Sequence, residues 1–122
     1  MSNHDRTWWS DPPLEQLSVV EIVCRRPDNY TRHGTIEEVA AFLEGYRIGL
    51  TFGTADRRKG LKELAELDRF LELLKNRLQA GNRHWSIALR ECAADDKSGL
   101  QYLAETAREF RKRQDKSGDP TR

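Results

Sequence analysis

The sequence predicts an all-α fold, a compact single-domain bundle of about five helices. Apolar residues recur at three- and four-residue spacing along most of the chain, and residues that cap helices precede several of these segments. Charged residues make up 34% of the chain and hydrophobic residues 37%, a composition typical of helices with polar surfaces. The 122 residues are enough for one self-sufficient core without metals or disulfides.

The composition along the chain predicts three regions. We expect an irregular arm over residues 1–10, a helical domain over residues 11–113 and a flexible tail over residues 114–122. The arm contains Trp8 and Trp9, which we expect to pack either on the core or on a partner, because exposed indoles are costly. The tail is polar and has nothing to bury.

The first helix is expected to begin at Pro12 and Pro13, because proline at the first helical positions lacks a donor that the helix does not use there. Ser10 or Asp11 then provides the cap. Pro27 disfavours helical geometry in the residue before it and ends the helix. The β-branched residues of this segment also suit a strand. Its apolar positions are Leu17, Val19, Val20, Ile22, Val23 and Cys24.

The second helix is marked by a capping box, in which Thr35 and Glu38 satisfy backbone donors at the helix start. We therefore expect it to begin at Ile36. Gly45 and Gly49 stand four residues apart on this helix and each disfavours it, so we expect a neighbouring element to cross closely there. The residues of its inner stripe are Ile36, Val39, Ala40, Leu43, Tyr46, Arg47 and Leu50.

Three further helices follow a connection over residues 51–60. The third is expected to run to Ala80, with Gly81 as a left-handed stop. A short fourth helix contains Trp85, Ala88, Leu89 and Cys92. The fifth begins after a cap by Asp95 or Asp96, and its apolar stripe is Leu100, Leu103, Ala104, Ala107 and Phe110.

Charge and hydropathy exclude several classes of protein. With 21 Lys and Arg against 20 Asp and Glu, the net charge of +1 provides no global field for nucleic acid or anionic lipid. No apolar run approaches the roughly 20 residues that cross a bilayer, and the first residues lack the apolar core of a secretion signal. We therefore expect a cytoplasmic protein that does not bind membranes.

Residues with catalytic or metal-binding spacing are missing from the sequence. None of His4, His33 and His84 has a cysteine or carboxylate at a metal-ligand offset, and no nucleophile stands with a recognisable base. We therefore predict no enzyme activity, no cofactor and no metal. The two cysteines, Cys24 and Cys92, are expected to be buried, reduced thiols.

Two basic clusters are the best candidates for contacts with an anionic partner. They are Arg57-Arg58-Lys59 and Arg111-Lys112-Arg113, and the second is also favourable at a helix C-terminus without a partner. No helix-turn-helix signature accompanies them, so nucleic-acid binding is not favoured. A small helical nucleic-acid-binding or regulatory protein stays open as the alternative function.

The segment from Arg25 to Leu50, RRPDNYTRHGTIEEVAAFLEGYRIGL, resembles a pattern of small helical bacterial proteins. In that pattern an Arg-Pro pair and a tyrosine precede a helix that ends in Phe-Leu-x-Gly-Tyr. The usual methionine before the tyrosine and the glycine soon after it are replaced by Asn29 and Thr31. The matching residues are Arg26, Pro27, Tyr30, Gly34, Phe42, Leu43, Gly45 and Tyr46, with the later Trp85 and Phe110.

Many proteins with this pattern are similar to immunity proteins of polymorphic or contact-dependent toxin systems. The resemblance implies a protein that binds a cognate toxin domain encoded nearby and neutralises it through a protein–protein interface, without catalysis. The charged residues that we expect at such an interface lie within or beside the matching segment, whereas its prolines and glycines are expected to build the fold. The predicted partner-binding residues are Arg32, Glu44, Arg47, Arg57, Arg58 and Lys59.

Overall fold

The structure is a computed structural model that describes residues 16–53 and 56–118. Every regular element in these residues is helical, which confirms the predicted all-α bundle. A short 3-10 turn, Pro27–Asn29, follows the first helix. Trp8, Trp9 and the predicted helix start at Pro12 lie outside the described residues. The five α-helices of the described residues are α1 Val19–Arg25, α2 Ile36–Phe52, α3 Arg57–Leu78, α4 Trp85–Cys92 and α5 Asp96–Gly118.

Helix α1 begins at Val19, so the prediction of one helix running through this segment from Pro12 is wrong. Ser18 is extended, with φ −73° and ψ 161°, and its hydroxyl accepts a hydrogen bond from the backbone N–H of Glu21 at 3.3 Å. The Glu21 carboxylate accepts the backbone N–H of Ser18 in return, at 3.2 Å. This capping box sets the helix start. The helix ends at Arg25, before Pro27, as predicted.

Helix α2 begins at Ile36, as its capping box predicts. The Thr35 hydroxyl accepts the N–H of Glu38 at 3.1 Å, and the Glu38 carboxylate accepts the N–H of Thr35 at 3.3 Å. The helix ends at Phe52, two residues after Leu50, the last residue of its inner stripe. With 17 residues it is about 25 Å long.

Helix α3 differs from the prediction at both ends. Asp56 caps it by accepting the N–H of Lys59 at 3.2 Å, so the basic cluster that was expected in the connection forms its first turn. At the other end the helix stops at Leu78 with the left-handed Gln79, φ 54°, as its cap, two residues before the expected stop at Gly81, which is itself left-handed with φ 65°. The buried Ala80 donates its N–H to the carbonyl of Lys75, which turns the chain inward earlier.

Helix α4 matches the predicted fourth helix, and α5 is longer than predicted. The Asp95 carboxylate accepts the N–H of Ser98 at 2.8 Å and caps α5. The helix continues past residue 113, so the tail predicted from residue 114 is helical as far as Gly118.

One apolar core joins the five helices. Helix α1 packs mainly on α5, α2 packs on α3, and α3 packs on α4. The inner stripes predicted for α2 and α5 supply much of this core. The largest fully buried side chains are those of Ile36, Leu43, Leu74, Leu89, Leu103, Val20, Val23 and Val39.

The close helix crossing lies at Gly99 of α5 and not at Gly45 and Gly49. A Cβ at Gly45 or Gly49 meets no atom within 4 Å, so the expected close crossing there is wrong for this chain. A Cβ at the buried Gly99 stands 2.6 Å from Cδ1 of Ile36 and 3.1 Å from Cβ of Ala93. Helix α5 therefore needs glycine where it meets the start of α2.

A buried ion pair fixes α1 on α5. The guanidinium of Arg111 donates two hydrogen bonds to the carboxylate of Glu21, at 2.8 and 3.0 Å. The Glu21 side chain is 7% exposed and that of Arg111 is 16% exposed. Removing one partner of such a pair leaves a charge buried without compensation.

We expect opposite effects from the same substitution at two helical glycines. Gly99→Ala lowers the free energy of unfolding by about 1–3 kcal/mol, because the added methyl overlaps Ile36 in a packed core. Gly45→Ala raises it by about 0.5–1 kcal/mol, because alanine favours the helix and the site is open. Urea unfolding at micromolar chain concentration measures both values. A stabilising Gly99→Ala contradicts the crossing described above.

Breaking the buried ion pair has a larger effect. Arg111→Met lowers the free energy of unfolding by about 3–5 kcal/mol, because the Glu21 charge stays buried without its partner. The double variant Glu21→Met/Arg111→Met recovers part of this loss, since it leaves no buried charge. Thermal unfolding of these two variants, of the single variant Glu21→Met and of the wild type measures the coupling. If the double variant loses as much as the sum of the single variants, the two charges are not coupled.

Candidate interaction surface

The first turn of α3 consists of cations at the helix end where cations are least favourable. Arg57, Arg58 and Lys59 are exposed, and this turn contains no acidic residue. The unsatisfied N–H groups give a helix N-terminus a partial positive charge, so it attracts anions and repels cations. Only the Asp56 cap offsets this repulsion within the turn. The positive charges of the cluster are therefore unfavourable at this helix end and suit an anionic partner.

More cations continue the cluster along the outer side of α3. Arg58, Lys62 and Arg69 are exposed and share one helix face. Lys62 follows Arg58 by four residues, about one helical turn, and Arg69 follows Lys62 by seven residues, about two turns. Leu61, 43% exposed, lies beside them. Sequence reasoning missed Lys62 and Arg69, although their spacing from Arg58 is the signal that identifies them. We define the cationic face of α3 as Arg58, Lys59, Lys62 and Arg69.

The side chains of the cationic face are available for a partner. Within the described part of the chain, none of the four makes a side-chain hydrogen bond or an ion pair. Arg57 differs, because its guanidinium donates to the carbonyl oxygen of Thr51 at 2.7 Å and fixes the corner between α2 and α3. Of the predicted basic cluster, Arg58 and Lys59 are therefore the better partner contacts.

The predicted residues on α2 already have partners. Arg47 donates to the carboxylate of Asp68 on α3, with Nε 2.7 Å from Oδ1, and these hydrogen bonds hold the pKa of Arg47 above its usual value. The Glu44 carboxylate lies 3.4 Å from Nε2 of His84, which caps α4. Both contacts join helices, and both side chains keep about two fifths of their surface exposed.

Arg32 lies apart from the other predicted residues. It is exposed in the loop before α2, whereas Arg57 follows the other end of that helix, and the length of α2 separates these ends by about 25 Å. The six predicted residues therefore do not form one patch. Arg58 and Lys59 belong to the cationic face, and Arg32 lies at the opposite end of the bundle.

Acidic residues at the helix starts form hydrogen bonds that join neighbouring helices. Asp96 accepts the backbone N–H of Ile36 at 2.9 Å and also contacts Arg90. Arg90 donates to both carboxylate oxygens of Glu37, at 2.8 and 2.9 Å. These hydrogen bonds lower the pKa of Glu37 to about 2 and raise that of Arg90. The start of α2 is thereby tied to α4 and α5.

Several residues of the Arg25–Leu50 segment also build the fold. Gly34 has φ +67° and packs against Pro27, so glycine is required in this turn. The half-buried Tyr46 donates its hydroxyl to Glu63 at 2.8 Å, and burial together with this hydrogen bond raises its pKa to about 12. Tyr30 is 43% exposed, and its ring lies against that of Phe42.

The two cysteines have different environments, and both are free thiols. Cys24 is partly buried, and burial, with a smaller effect from Glu21, raises its thiol pKa to about 12. Cys92 is exposed, so its predicted burial is wrong. It lies at the last position of α4, where the outer side of the helix faces solvent.

The described residues contain no group of three or more His, Cys, Asp or Glu side chains that is placed to hold a metal ion. None of the described helices combines the length and the apolar character that crossing a membrane requires. Comparison of the chain with protein-family models, curated proteins and solved structures finds no match. The cationic face of α3 is the strongest candidate site among the described residues.

We expect the two thiols to react at different rates. At pH 8 a maleimide modifies Cys92 rapidly, whereas Cys24 reacts only after denaturation, because its raised pKa keeps it protonated and the thiolate is the nucleophile. Intact-mass spectrometry counts one label on the native protein and two after denaturation. Equal rates for the two thiols in the native protein contradict this assignment, and zero labels after denaturation indicate a disulfide.

Proposed function

We propose that this chain is an immunity protein that binds a cognate toxin domain encoded nearby and blocks it without catalysis. The observation that carries the proposal is the cationic face of α3, whose four side chains have no partner in the described chain. The resemblance of the Arg25–Leu50 segment supplies the class of partner. The cationic face supplies the chemistry of the contact, an acidic surface on the toxin.

The placement of the cations supports a binding role over a purely structural one. Charges that stabilise a helix stand where the helix dipole favours them, and the cations of the first α3 turn do not. Arg58 and Lys62 also lie one turn apart, so like charges repel along the same face. An acidic partner relieves both repulsions, and steering by opposite charges accelerates its association.

A nucleic-acid-binding regulator is the second candidate function. The same row of cations favours it, since phosphate groups attract Arg and Lys. The other basic cluster gives less support, because Arg111 is held in the buried ion pair with Glu21. The net charge of +1 also gives no long-range attraction for a polyanion. We therefore favour the protein partner.

Charge reversal on the cationic face tests the proposal. The toxin domain encoded next to this chain is purified, and its affinity for the wild type is measured by calorimetry. We expect Arg58→Glu/Lys62→Glu to weaken binding by about tenfold or more, because the variant repels an acidic surface. The helical circular dichroism spectrum stays unchanged, since both side chains are exposed.

Lys97→Glu is the matched control for this experiment. Lys97 is also an exposed cation in the first turn of a helix, in this case α5. Helix α5 starts beside the start of α2, whereas the cationic face begins beyond the end of α2. We expect this variant to bind the toxin like the wild type. If the wild type neither binds nor protects cells from its neighbour, the immunity function is excluded. Salt-sensitive binding of duplex DNA instead supports the second candidate.

A further inference from the structure

The outer side of α2 carries an apolar stripe that faces away from the core. Its members recur at spacings of four, three and four residues, and all are exposed. Ile48 is 55% exposed and Phe52 is 78% exposed. The inner side of the same helix is buried in the core, so α2 is apolar on two opposite sides. We define the outer stripe of α2 as Ala41, Gly45, Ile48 and Phe52.

Nothing in the described fold explains the small residues of this stripe. Glycine inside a helix costs about 1 kcal/mol relative to alanine, and Gly99 shows a position where close packing requires it. At Gly45 and the neighbouring Gly49 the space around the missing side chain is empty. The stripe therefore suits close packing against a second helix, and none of the described helices packs there.

We propose that the second helix is α2 of another copy of this chain, packed antiparallel about a twofold axis. When the axis passes midway between Gly45 and Ile48, Gly45 of each copy faces Ile48 of the other copy across the interface. The same arrangement places Ala41 opposite Phe52 of the second copy. A large side chain then meets a small one at every level, which is the self-complementarity that a twofold interface requires.

The charges at the two ends of α2 favour the same orientation. Within the first turn of α2, Glu37 is paired with Arg90 and Glu38 adds a negative charge, and the basic turn that begins at Arg57 lies just beyond the other end of the helix. An antiparallel pair brings the acidic end of each copy to the basic end of the other. A parallel pair places like charges together instead, which is unfavourable.

The interface is expected to be weak and reversible. Two helices of 17 residues bury less area than a standard protein interface, so association belongs to the class of transient contacts. The proposal needs no toxin and does not depend on the proposed function. It concerns only the purified chain.

Sedimentation velocity of the purified full chain over a range of concentrations tests the proposal. We expect the weight-average mass to rise from the monomer value of 14.2 kDa towards twice that value. Gly45→Leu raises the dimer dissociation constant at least about hundredfold, because its side chain occupies the space of the facing Ile48. The same variant leaves the monomer folded, since the site is open and leucine favours helices.

A matched pair of isoleucine variants locates the interface. Ile48 and Ile87 are 55% and 51% exposed, so serine removes a similar apolar surface at each site. We expect Ile48→Ser to weaken the dimer and Ile87→Ser, on α4, to leave it unchanged. A wild type that stays monomeric at every concentration overturns the proposal. Equal effects of the two serine variants, or a dimer that survives Gly45→Leu, overturn it as well.

Discussion

The bidentate ion pair between Glu21 and Arg111 joins two parts of the chain that are 90 positions apart and gives α1 its place. Helix α1 has 7 residues, too few to persist alone in water, so it depends on packing against α5. The same Glu21 carboxylate completes the capping box with Ser18. One side chain therefore starts the helix and fixes it on its neighbour.

The other end of α5 is fixed by a second set of polar contacts. Asp96 accepts the first backbone N–H of α2 from Ile36, and Arg90 of α4 links it to Glu37. Gly99 lets Ile36 approach α5 more closely than any side chain allows. Helix α5 is thus held by α1 near one end and by α2 and α4 near the other. This leaves the outer sides of α2 and α3 without a structural role.

Features that depend on neighbouring residues were predictable from the sequence, and features that depend on distant contacts were not. The start of α2 follows from Thr35 and Glu38, three positions apart. The equivalent local signal at Ser18 was available but was outweighed by the two prolines before it. The Gly99 crossing and the partner of Arg111 depend on how helices meet in space. Lys62 is a different case, because the local cap at Asp56 and its spacing from Arg58 were signals that the sequence reasoning missed.

The two proposed surfaces lie where the sequence departs from the local rules that it follows elsewhere. Capping residues precede the helices, yet α3 begins with cations and α2 contains glycines at open positions. Such inconsistencies are retained where function requires them. The two surfaces also act over different ranges. Charge attraction on α3 reaches about one Debye length and weakens with salt, whereas the outer stripe of α2 acts only at contact. Salt therefore weakens binding at the cationic face more than pairing of the outer stripes, in which charges only add to the apolar contact.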